Sequence, residues 1–316
     1  MALPLAAGPL AFTMVRARGG DANPVGVVRH DFSALTSPVP LWAAIGPAPA
    51  VMGVLNVTPD SFSDGGRTIE HTQAIDAGRR MLAEDAAILD IGGESTRPGA
   101  SPVSPEEECR RVVPVIAALS REGALISIDT RNAATMAAAL DAGAAIVNDV
   151  SALQHDPNSL PLVAARRCPV ILMHMRGTPK TMNGLAHYDD VGFEVLDELA
   201  AQIDICVTAG IERANIAIDP GFGFAKTGAQ SRELLQRLPL FVNLFRPIIA
   251  GMSRKRFLGE IACVQAAEER DPASVAACVL ALSAGATIIR AHNVAATVQA
   301  VRVWEAMQAL PEAKGS

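Results

Sequence analysis

Short apolar runs alternate with longer amphipathic stretches along most of this chain. The segments between the runs, such as TQAIDAGRRMLAED and FEVLDELAAQIDICVTAG, carry the 3.6-residue period of a helix. Glycine often closes such a segment just before the next run, as expected of a helix C-terminal cap. The apolar runs, each of which predicts a strand, are VMGVL (51–55), AILDI (87–91), LISID (125–129), AIVND (145–149), VILMH (170–174), IAID (216–219), PIIAG (247–251) and TIIRA (287–291).

This rhythm predicts an α/β protein built from eight strand–helix units. An open, doubly wound sheet would also alternate strands and helices, but eight complete units without a spare strand favour a closed (β/α)8 TIM barrel. Residues 1–49 differ, because they are rich in Pro and Gly and contain no long helical pattern. We therefore expect a barrel domain over residues 50–316 and an N-terminal extension over residues 1–49 that packs on it or is partly loose.

Composition restricts the kind of partner. The chain carries a formal net charge of -6 and no basic block, which argues against nucleic acid. No apolar run reaches the roughly 18 residues of a membrane span, and the apolar start lacks a basic n-region. The five cysteines are scattered without a C-x-x-C pair, which indicates reduced thiols. We expect a cytoplasmic protein that binds neither nucleic acid nor membranes.

The ends of the predicted strands are unusually polar. In barrels of this kind, the loops after the strands build the active site. A single polar residue there often only caps the next helix, and that interpretation stays open for Thr130 and Asp149. The convergence of all eight ends on one mouth nevertheless indicates a binding site. Its polar residues are Asn56, Asp90, Glu94, Thr96, Arg97, Asp129, Asn148, Asp149, His174, Arg176, Asp219, Ser253, Lys255, Arg290 and His292.

The chemistry of these side chains favours an anionic ligand beside a neutral heterocycle. Asn56 supplies a neutral oxygen acceptable to Mg²⁺. Asp129 and Asp219 stand at the ends of the third and sixth strands, where a carboxylate can pair with the amidine-like edge of a base or form a salt bridge to a nearby arginine. Charge-assisted donors suited to phosphate oxygens are Arg97, Lys255, Arg290 and His292.

The sequence does not match several well-defined nucleotide-binding, catalytic and metal-binding motifs. GFGFAKTG (221–228) has Lys226 where G-x-G-x-x-G requires glycine, and it does not fit a Walker loop. GMSRK (251–255) ends in Lys255 where a nucleophile elbow has glycine. The six histidines show no H-x-H or H-E-x-x-H spacing, which argues against an all-protein zinc site.

Eight segments together resemble the dihydropteroate synthase family of folate biosynthesis. The resemblance implies a TIM barrel that joins 4-aminobenzoate to 6-hydroxymethyl-7,8-dihydropterin diphosphate, with Mg²⁺ assisting. It also implies a homodimer formed through the last helices and a target of sulfonamides. The segments, which run from about residue 51 to residue 294, are GVLNVTPDSFSDGGR, ILDIGGESTRPGA, ISIDTRN, IVNDVSAL, ILMHMRGTPKTM, IDPGFGF, AGMSRKRFLG and IIRAHNV.

The resemblance also assigns roles to individual positions. The expected pterin contacts are Asp129, Asn148, Asp219 and Lys255. The pyrophosphate end is expected to involve Arg290, His292 and the metal residue Asn56. The wall of the aminobenzoate pocket is expected to contain Phe224, Ser253 and Lys255. A second mobile loop contains Thr96, Arg97 and Pro98. The residues expected to serve catalysis are Asp129, Asp219, Lys255 and Arg97.

The match to the family has departures. Asn293 stands where the family commonly has Asp, Ala225 stands at a usual Gly, and Arg176 occupies a place often held by Gln. None of them removes a residue assigned to chemistry. The loop from Thr58 to Arg67 is expected to be a flexible cover, in which Phe62 can shield the pocket.

Three alternative functions remain open at this point. A pterin-binding methyltransferase would share the fold and the acids, but it would not need the Thr96–Arg97 loop or the Arg290/His292 anion site. A Schiff-base lyase could use Lys255, although arginines flank that lysine on both sides. A paralogue could bind pterin without catalysis, but such proteins usually lose the polar groups that are intact here.

Overall fold

The computed structural model describes residues 3–4, 11–12, 14–16, 22–24, 45, 49–58, 67–95 and 102–308. The expectations for Phe62 and for Thr96, Arg97 and Pro98 fall outside these residues. In the N-terminal region, Leu3–Pro4 pairs antiparallel with Ala11–Phe12, and Met14–Arg16 pairs antiparallel with Ala22–Pro24. The division of the chain after residue 49 stays a prediction.

Eight parallel strands form one sheet, and each overlaps one of the predicted apolar runs. Each strand pairs with its neighbours in chain order from the first strand to the sixth, and the eighth strand pairs with both the first and the seventh. A parallel bridge between Ile218 and Ile248 joins the sixth strand to the start of the seventh. The sheet therefore closes into the predicted TIM barrel, and the open doubly wound sheet is excluded. The strands are β1 (Ala50–Asn56), β2 (Ile88–Gly92), β3 (Ile126–Asp129), β4 (Ile146–Asp149), β5 (Val170–Met173), β6 (Ile216–Asp219), β7 (Ile249–Ala250) and β8 (Ile288–Ala291).

Helices follow the strands and cover the outside of the barrel. The two segments quoted above for their helical period lie almost entirely in the first and fifth helices. In chain order the helices are α1 (Arg67–Ala83), α2 (Pro105–Arg121), α3 (Ala133–Asp141), α4 (Ser159–Arg166), α5 (Val191–Thr208), α6 (Gly228–Gln236), α7 (Arg256–Ala262), α8 (Asp271–Ser283) and α9 (Val294–Gln308).

Local sequence sets where several helices begin and end. The Ser104 side chain accepts a hydrogen bond from the Glu107 N–H at the start of α2, where proline occupies the first turn. Thr227 and Gln230 form a capping box at the start of α6. The predicted glycine caps are confirmed, because the chain turns with positive φ after α3, α5 and α8 at Gly143, Gly210 and Gly285.

Alternation along the strands divides the apolar core into two clusters. Outward-facing residues such as Val51, Leu89 and Val147 pack against the helices. A separate cluster fills the inside of the barrel, because successive side chains on a strand point to opposite faces. This inner cluster consists of Ala50, Met52, Ile88, Ile146, Ile171, Ala217, Ile249 and Ile288.

The next inward position on four strands is polar. Two residues after an inner-cluster residue come Asp90 on β2, Asn148 on β4, Asp219 on β6 and Arg290 on β8. Because the side-chain period of a strand is two, these groups point into the barrel one layer above the apolar filling. The fold thus places a polar layer at the carboxyl ends of the strands.

Two further expectations concern cysteines and membranes. All five cysteines are free, and Cys168, Cys206 and Cys278 are buried, so the prediction of unpaired thiols is confirmed. Within the part of the chain that the structure describes, no helix has the length and apolarity needed to cross a bilayer.

Candidate functional site

Arg290 binds two carboxylates at the barrel mouth, and one of them also binds Asn148. Arg290 Nε donates to Asp90 Oδ2 at 2.6 Å, and Arg290 Nη2 donates to Asp129 Oδ2 at 2.7 Å. Asn148 Nδ2 donates to the same Asp90 oxygen at 3.0 Å. Asp90 is fully buried, and its other oxygen has no hydrogen-bond partner in the described structure. Strands β2, β3, β4 and β8 therefore contribute one connected network with spare acceptor capacity.

Two carboxylates in this mouth have raised pKa values. Burial raises the pKa of Asp129 to about 7, although the positive charge of Arg290 opposes the shift. Burial also raises the pKa of Asp219, against the effect of a backbone N–H and of Lys255. Buried acids with raised pKa values concentrate in functional sites.

The loop between β6 and α6 closes over Asp219. Asp219 Oδ1 accepts a hydrogen bond from the Gly221 N–H at 2.7 Å. Gly221 has φ +71, and a Cβ atom there would lie 2.0 Å from the carbonyl oxygen of His174. Only glycine fits this turn without moving the backbone. Asp219 is thus held by a turn that the sequence could form only with glycine at this position.

Lys255 and Phe224 face each other beside Asp219. The Lys255 ammonium lies 3.9 Å from the centroid of the Phe224 ring, within the range of a cation–π contact. Burial lowers the pKa of Lys255 to about 8, although Asp219 opposes the shift. The lysine therefore connects an aromatic surface from the β6–α6 loop with the carboxylate at the end of β6.

Ser253 and His292 form a third pair, after β7 and β8. Ser253 is buried, and its Oγ accepts a hydrogen bond from the His292 backbone N–H at 3.1 Å. The same Oγ lies 3.0 Å from His292 Nδ1. Ser253 therefore orients the imidazole, whereas its expected place in the aminobenzoate pocket wall stays a prediction.

Asn56 ends β1 at the same rim, half-buried and in register with Gly92 of β2. Among residues 45, 49–58, 67–95 and 102–308, no group of three or more His, Cys, Asp or Glu side chains is arranged to chelate a metal ion. An Mg²⁺ ion at Asn56 would need further oxygen ligands besides the amide oxygen of that residue. That donor set fits Mg²⁺, which prefers oxygen and usually keeps several waters.

The structure brings most of the predicted residues together. Asp129, Asn148 and Arg290 share one hydrogen-bonded network, and Lys255 lies against Phe224 beside Asp219. The alternative considered for Asp129, a salt bridge to an arginine, is present in the structure. The contribution of Thr96 and Arg97 stays a prediction, because both lie outside the described residues.

Two residues of the mouth were not assigned a role from the sequence. Asp90 was among the polar strand ends, and its inward position could have been inferred because it follows Ile88 by two positions as Asn148 follows Ile146. Lys226 appeared only as a mismatch to a glycine motif, yet its side chain is buried within the β6–α6 loop. No local sequence signal predicts that burial, because it depends on how the loop packs against β5.

Two polar strand-end residues have structural roles. The Thr130 hydroxyl donates to the buried carboxylate of Glu108 at 2.9 Å. The Asp149 carboxylate accepts hydrogen bonds from the backbone N–H groups of Ser151 and Leu153, at 2.7 and 3.1 Å. Thr130 and Asp149 thus make local structural hydrogen bonds, although the N-cap residues of the following helices are Asn132 and Asn158.

Two of the departures from the family also have local explanations. Asn293 Oδ1 accepts a hydrogen bond from the Ala296 N–H in the first turn of α9, while its Nδ2 donates to Asp271 at 3.0 Å. Arg176 pairs with Glu194 and Glu198 of α5. Both side chains are therefore held by polar contacts to the helices around the barrel.

Comparison with known proteins agrees with this geometry. The chain matches the model of the family described as "Pterin binding enzyme" over residues 52–292. The dihydropteroate synthase of Synechocystis sp. is 44% identical over 258 residues, which cover 81% of this chain and 89% of that protein. The dihydropteroate synthase of Escherichia coli strain K12 is 44% identical over 267 residues, covering 84% and 94%.

Solved structures give the same result. The dihydropteroate synthase of Xanthomonas albilineans with 4-aminobenzoic acid superposes with a TM-score of 0.80 at 48% identity, covering 84% of this chain and 95% of that one. The structure of the Xanthomonas albilineans enzyme in complex with 7,8-dihydropteroate gives a TM-score of 0.77 at 45% identity, covering 84% and 96%. With its closed barrel, its polar mouth and these relatives, the chain belongs to the pterin-binding enzymes and, among them, to the dihydropteroate synthases.

Proposed function

We propose that the barrel mouth joins 4-aminobenzoate to 6-hydroxymethyl-7,8-dihydropterin diphosphate, giving 7,8-dihydropteroate and pyrophosphate. The observation that carries the proposal is the convergence of Asp129, Asn148 and Arg290 with Asp219 and Lys255 at the carboxyl ends of the strands. Relatives solved with 4-aminobenzoic acid and with 7,8-dihydropteroate support the same pair of reactants.

The pterin is proposed to lie between Asp129 and Asp219. Carboxylates on two sides of the mouth suit the N–H groups of a pterin edge, and Asn148 adds an amide that can both donate and accept. In their ionised form, these carboxylates also stabilise positive charge that develops on the ring when the diphosphate leaves. Asp90 takes part indirectly, since it holds Asn148 and Arg290 in place.

The diphosphate is proposed to lie toward Arg290, His292 and Asn56. Arg290 can bind anionic oxygens with a planar, permanently charged group. When Mg²⁺ is bound at Asn56, it supplies positive charge to the leaving oxygen. Ser253 keeps the His292 ring at the rim, where it can donate to the same phosphate group.

The aminobenzoate is proposed to lie against Phe224 and Lys255. Its amine attacks the pterin methylene carbon, a C–N bond forms, the C–O bond to the diphosphate breaks, and the amine loses one proton. We propose that C–O cleavage leads and attack follows, because two carboxylates face the ring that becomes electron-poor. Slow pyrophosphate release without 4-aminobenzoate supports this order, whereas strict dependence on 4-aminobenzoate contradicts it.

The activity is tested by pyrophosphate release from the dihydropterin diphosphate and 4-aminobenzoate with Mg²⁺, using a sulfonamide as competitor. Release that requires the intact mouth supports the proposal. Pterin binding without turnover identifies a non-catalytic paralogue instead. Methyl transfer from a methylated folate to a corrinoid protein identifies the methyltransferase, and borohydride trapping of Lys255 with a carbonyl substrate identifies the lyase.

Asp219 provides a sharper test of the pterin site. Because its carboxylate is buried and is held by the turn after β6, we expect Asp219→Ala to lose pterin affinity more than aminobenzoate affinity. Calorimetric titration with each ligand measures the two effects. Asp204→Ala, at an exposed carboxylate on α5, serves as the control and should bind both ligands like the wild type. Unchanged pterin affinity in Asp219→Ala contradicts the assigned role.

We also propose a homodimer in the cytoplasm. An apolar face of α8 and α9 exposes Leu280, Val303 and Met307 by 60%, 64% and 77%, and a second copy of the chain would cover it. Five unpaired cysteines in one chain fit a reducing compartment.

A further inference from the structure

Lys226 is a buried lysine that the proposed reaction does not use. It is only 7% exposed and stands near the end of the loop that joins β6 to α6, with its side chain buried beneath that loop. Its Nζ donates to the carbonyl oxygens of Gly221 and Phe224 at 3.1 and 3.0 Å, and it lies 2.9 Å from His174 Nδ1. An ammonium group has three N–H donors, and here each of them has an acceptor. Two of its donors therefore bind the loop backbone, and the third connects the loop to His174 at the end of β5.

His174 is oriented for this contact by Glu198. Burial lowers the pKa of His174 to about 4, so its ring is neutral. His174 Nε2 lies 2.8 Å from Glu198 Oε2, and Glu198 also accepts from Arg176 Nε at 3.0 Å. A carboxylate accepts only, so the ring proton is on Nε2 and Nδ1 is left to accept from Lys226.

The two carbonyls that Lys226 binds belong to residues with contacts in the site. The Gly221 N–H binds Asp219, and the Phe224 ring lies against Lys255. Asp219 is fixed mainly by its position on β6, whereas Phe224 stands in the middle of the loop. The position of Phe224 therefore depends more on Lys226 than the position of Asp219 does.

We propose that Lys226, oriented by His174 and Glu198, is a positioning residue that holds the β6–α6 loop so that Phe224 forms the aminobenzoate side of the site. The inference rests on the proposed function, because its expected effect on KM is an effect on the proposed reaction. The charge of Lys226 is favoured by Asp219 and Glu198 and disfavoured by Lys255 and Arg176. Burial lowers the pKa of Lys226 to about 7, which agrees with a lysine enclosed by the loop.

The test compares Lys226→Met with the wild type and with Lys180→Met, an exposed control on the same barrel. The methionine side chain keeps most of the length of the lysine stem and removes all three donors. We expect the KM for 4-aminobenzoate to rise at least about tenfold, the effect of losing one buried charge-assisted hydrogen bond. The KM for the pterin diphosphate should change less than about threefold, because Asp219 stays on its strand. Lys180→Met should match the wild type.

A second measurement needs no activity. Amide hydrogen exchange of the unliganded proteins should be faster over residues 220–226 in Lys226→Met, with unchanged exchange in β6. An inactive wild type contradicts the proposed function but leaves this exchange comparison valid. Equal increases in both KM values, or unchanged exchange over 220–226, overturn the inference.

Glu198→Gln covers the case in which Lys226→Met does not fold. The Glu198 side chain is 43% exposed, so the substitution leaves the packing intact. In this variant too, we expect the KM for 4-aminobenzoate to rise more than the KM for the pterin diphosphate. The difference should be smaller than in Lys226→Met, because only the tautomer of His174 is then less strictly fixed. Absence of any separation in this variant also overturns the inference.

Discussion

Asp90 is fully buried, and it determines where two neighbouring side chains point. Its Oδ2 accepts from Arg290 and Asn148 at 2.6 and 3.0 Å. Arg290 is also bound by Asp129, so one guanidinium is shared between two acids. Removing one member of a buried charged network leaves the others unpaired, which costs more than the pair itself contributes.

Asp90→Asn tests this network. The amide keeps the shape of the carboxylate but removes its charge, so we expect the free energy of unfolding to fall by about 3 kcal/mol. We also expect kcat/KM for the pterin diphosphate to fall at least about tenfold, because Arg290 loses one of its two anchors. Urea unfolding and steady-state kinetics measure the two effects. Asp204→Asn, which breaks an exposed pair with Arg213, should cost less than about 1 kcal/mol. Equal stability of both variants contradicts the role of Asp90.

His174 makes stability depend on pH. Burial lowers the pKa of His174 from 6.5 to about 4, so the folded protein favours the neutral ring. A group with a lowered folded pKa stabilises the protein above its unfolded pKa, and that contribution is lost as pH falls through the folded pKa. Between pH 6.5 and pH 4 we expect the wild type to lose about 3 kcal/mol more than His174→Gln.

The measurement is the free energy of unfolding in urea at several pH values across that window. His187→Gln, at an exposed histidine, should follow the wild-type pH dependence. If His174→Gln and the wild type lose stability in parallel, His174 is not the group that titrates.

At the level of elements, the strands were predictable because their apolar runs have a strong local signal. Asp129, Asn148 and Arg290 were singled out because all eight predicted strand ends carry polar residues, although one such residue, Asp149, makes local structural hydrogen bonds. The role of Lys226 could not be predicted, because it depends on a loop closing over the end of β5. Local sequence also determines where helices begin, since the side chains of Ser104 and Thr227 cap the first turns of α2 and α6.

The β6–α6 loop gives a prediction at this scale. Gly221 and Gly210 both have positive φ, at +71 and +99. A Cβ atom at Gly221 would lie 2.0 Å from the His174 carbonyl oxygen, whereas a Cβ at Gly210 meets nothing within 4 Å. Gly210→Ala should therefore cost about 1–2 kcal/mol from backbone strain alone.

Gly221→Ala adds a clash with backbone to the same strain, so we expect it to cost at least about 3 kcal/mol and to weaken 4-aminobenzoate binding. Urea unfolding gives the two costs, and titration gives the binding. Equal costs for the two glycines would mean that the loop can move away from β5 without penalty.

In the whole molecule, the closed barrel places the apolar layer that stabilises the fold and the polar layer of the candidate site at different depths. The inner apolar layer fills the barrel from Ala50 to Ile288, while the polar layer lies above it at the strand ends. Burial inside the closed sheet also raises the pKa of Asp129, because water is excluded around it. An open sheet would have placed fewer of these groups opposite one another.

The outer face of α8 and α9 gives the last prediction. Leu280 on α8 and Val303 on α9 are 60% and 64% exposed, which leaves two large apolar side chains uncovered in a single copy of the chain. We expect the wild type to sediment at twice the 33.0 kDa chain mass and Leu280→Glu to sediment as a monomer. Ile205→Glu is the matched control, because Ile205 is 51% exposed on α5, away from this face, and that variant should stay dimeric. A wild-type monomer, or a Leu280→Glu dimer of unchanged affinity in sedimentation equilibrium, would show that the face is not where two copies meet, since a buried carboxylate cannot be accommodated in an apolar interface without a partner.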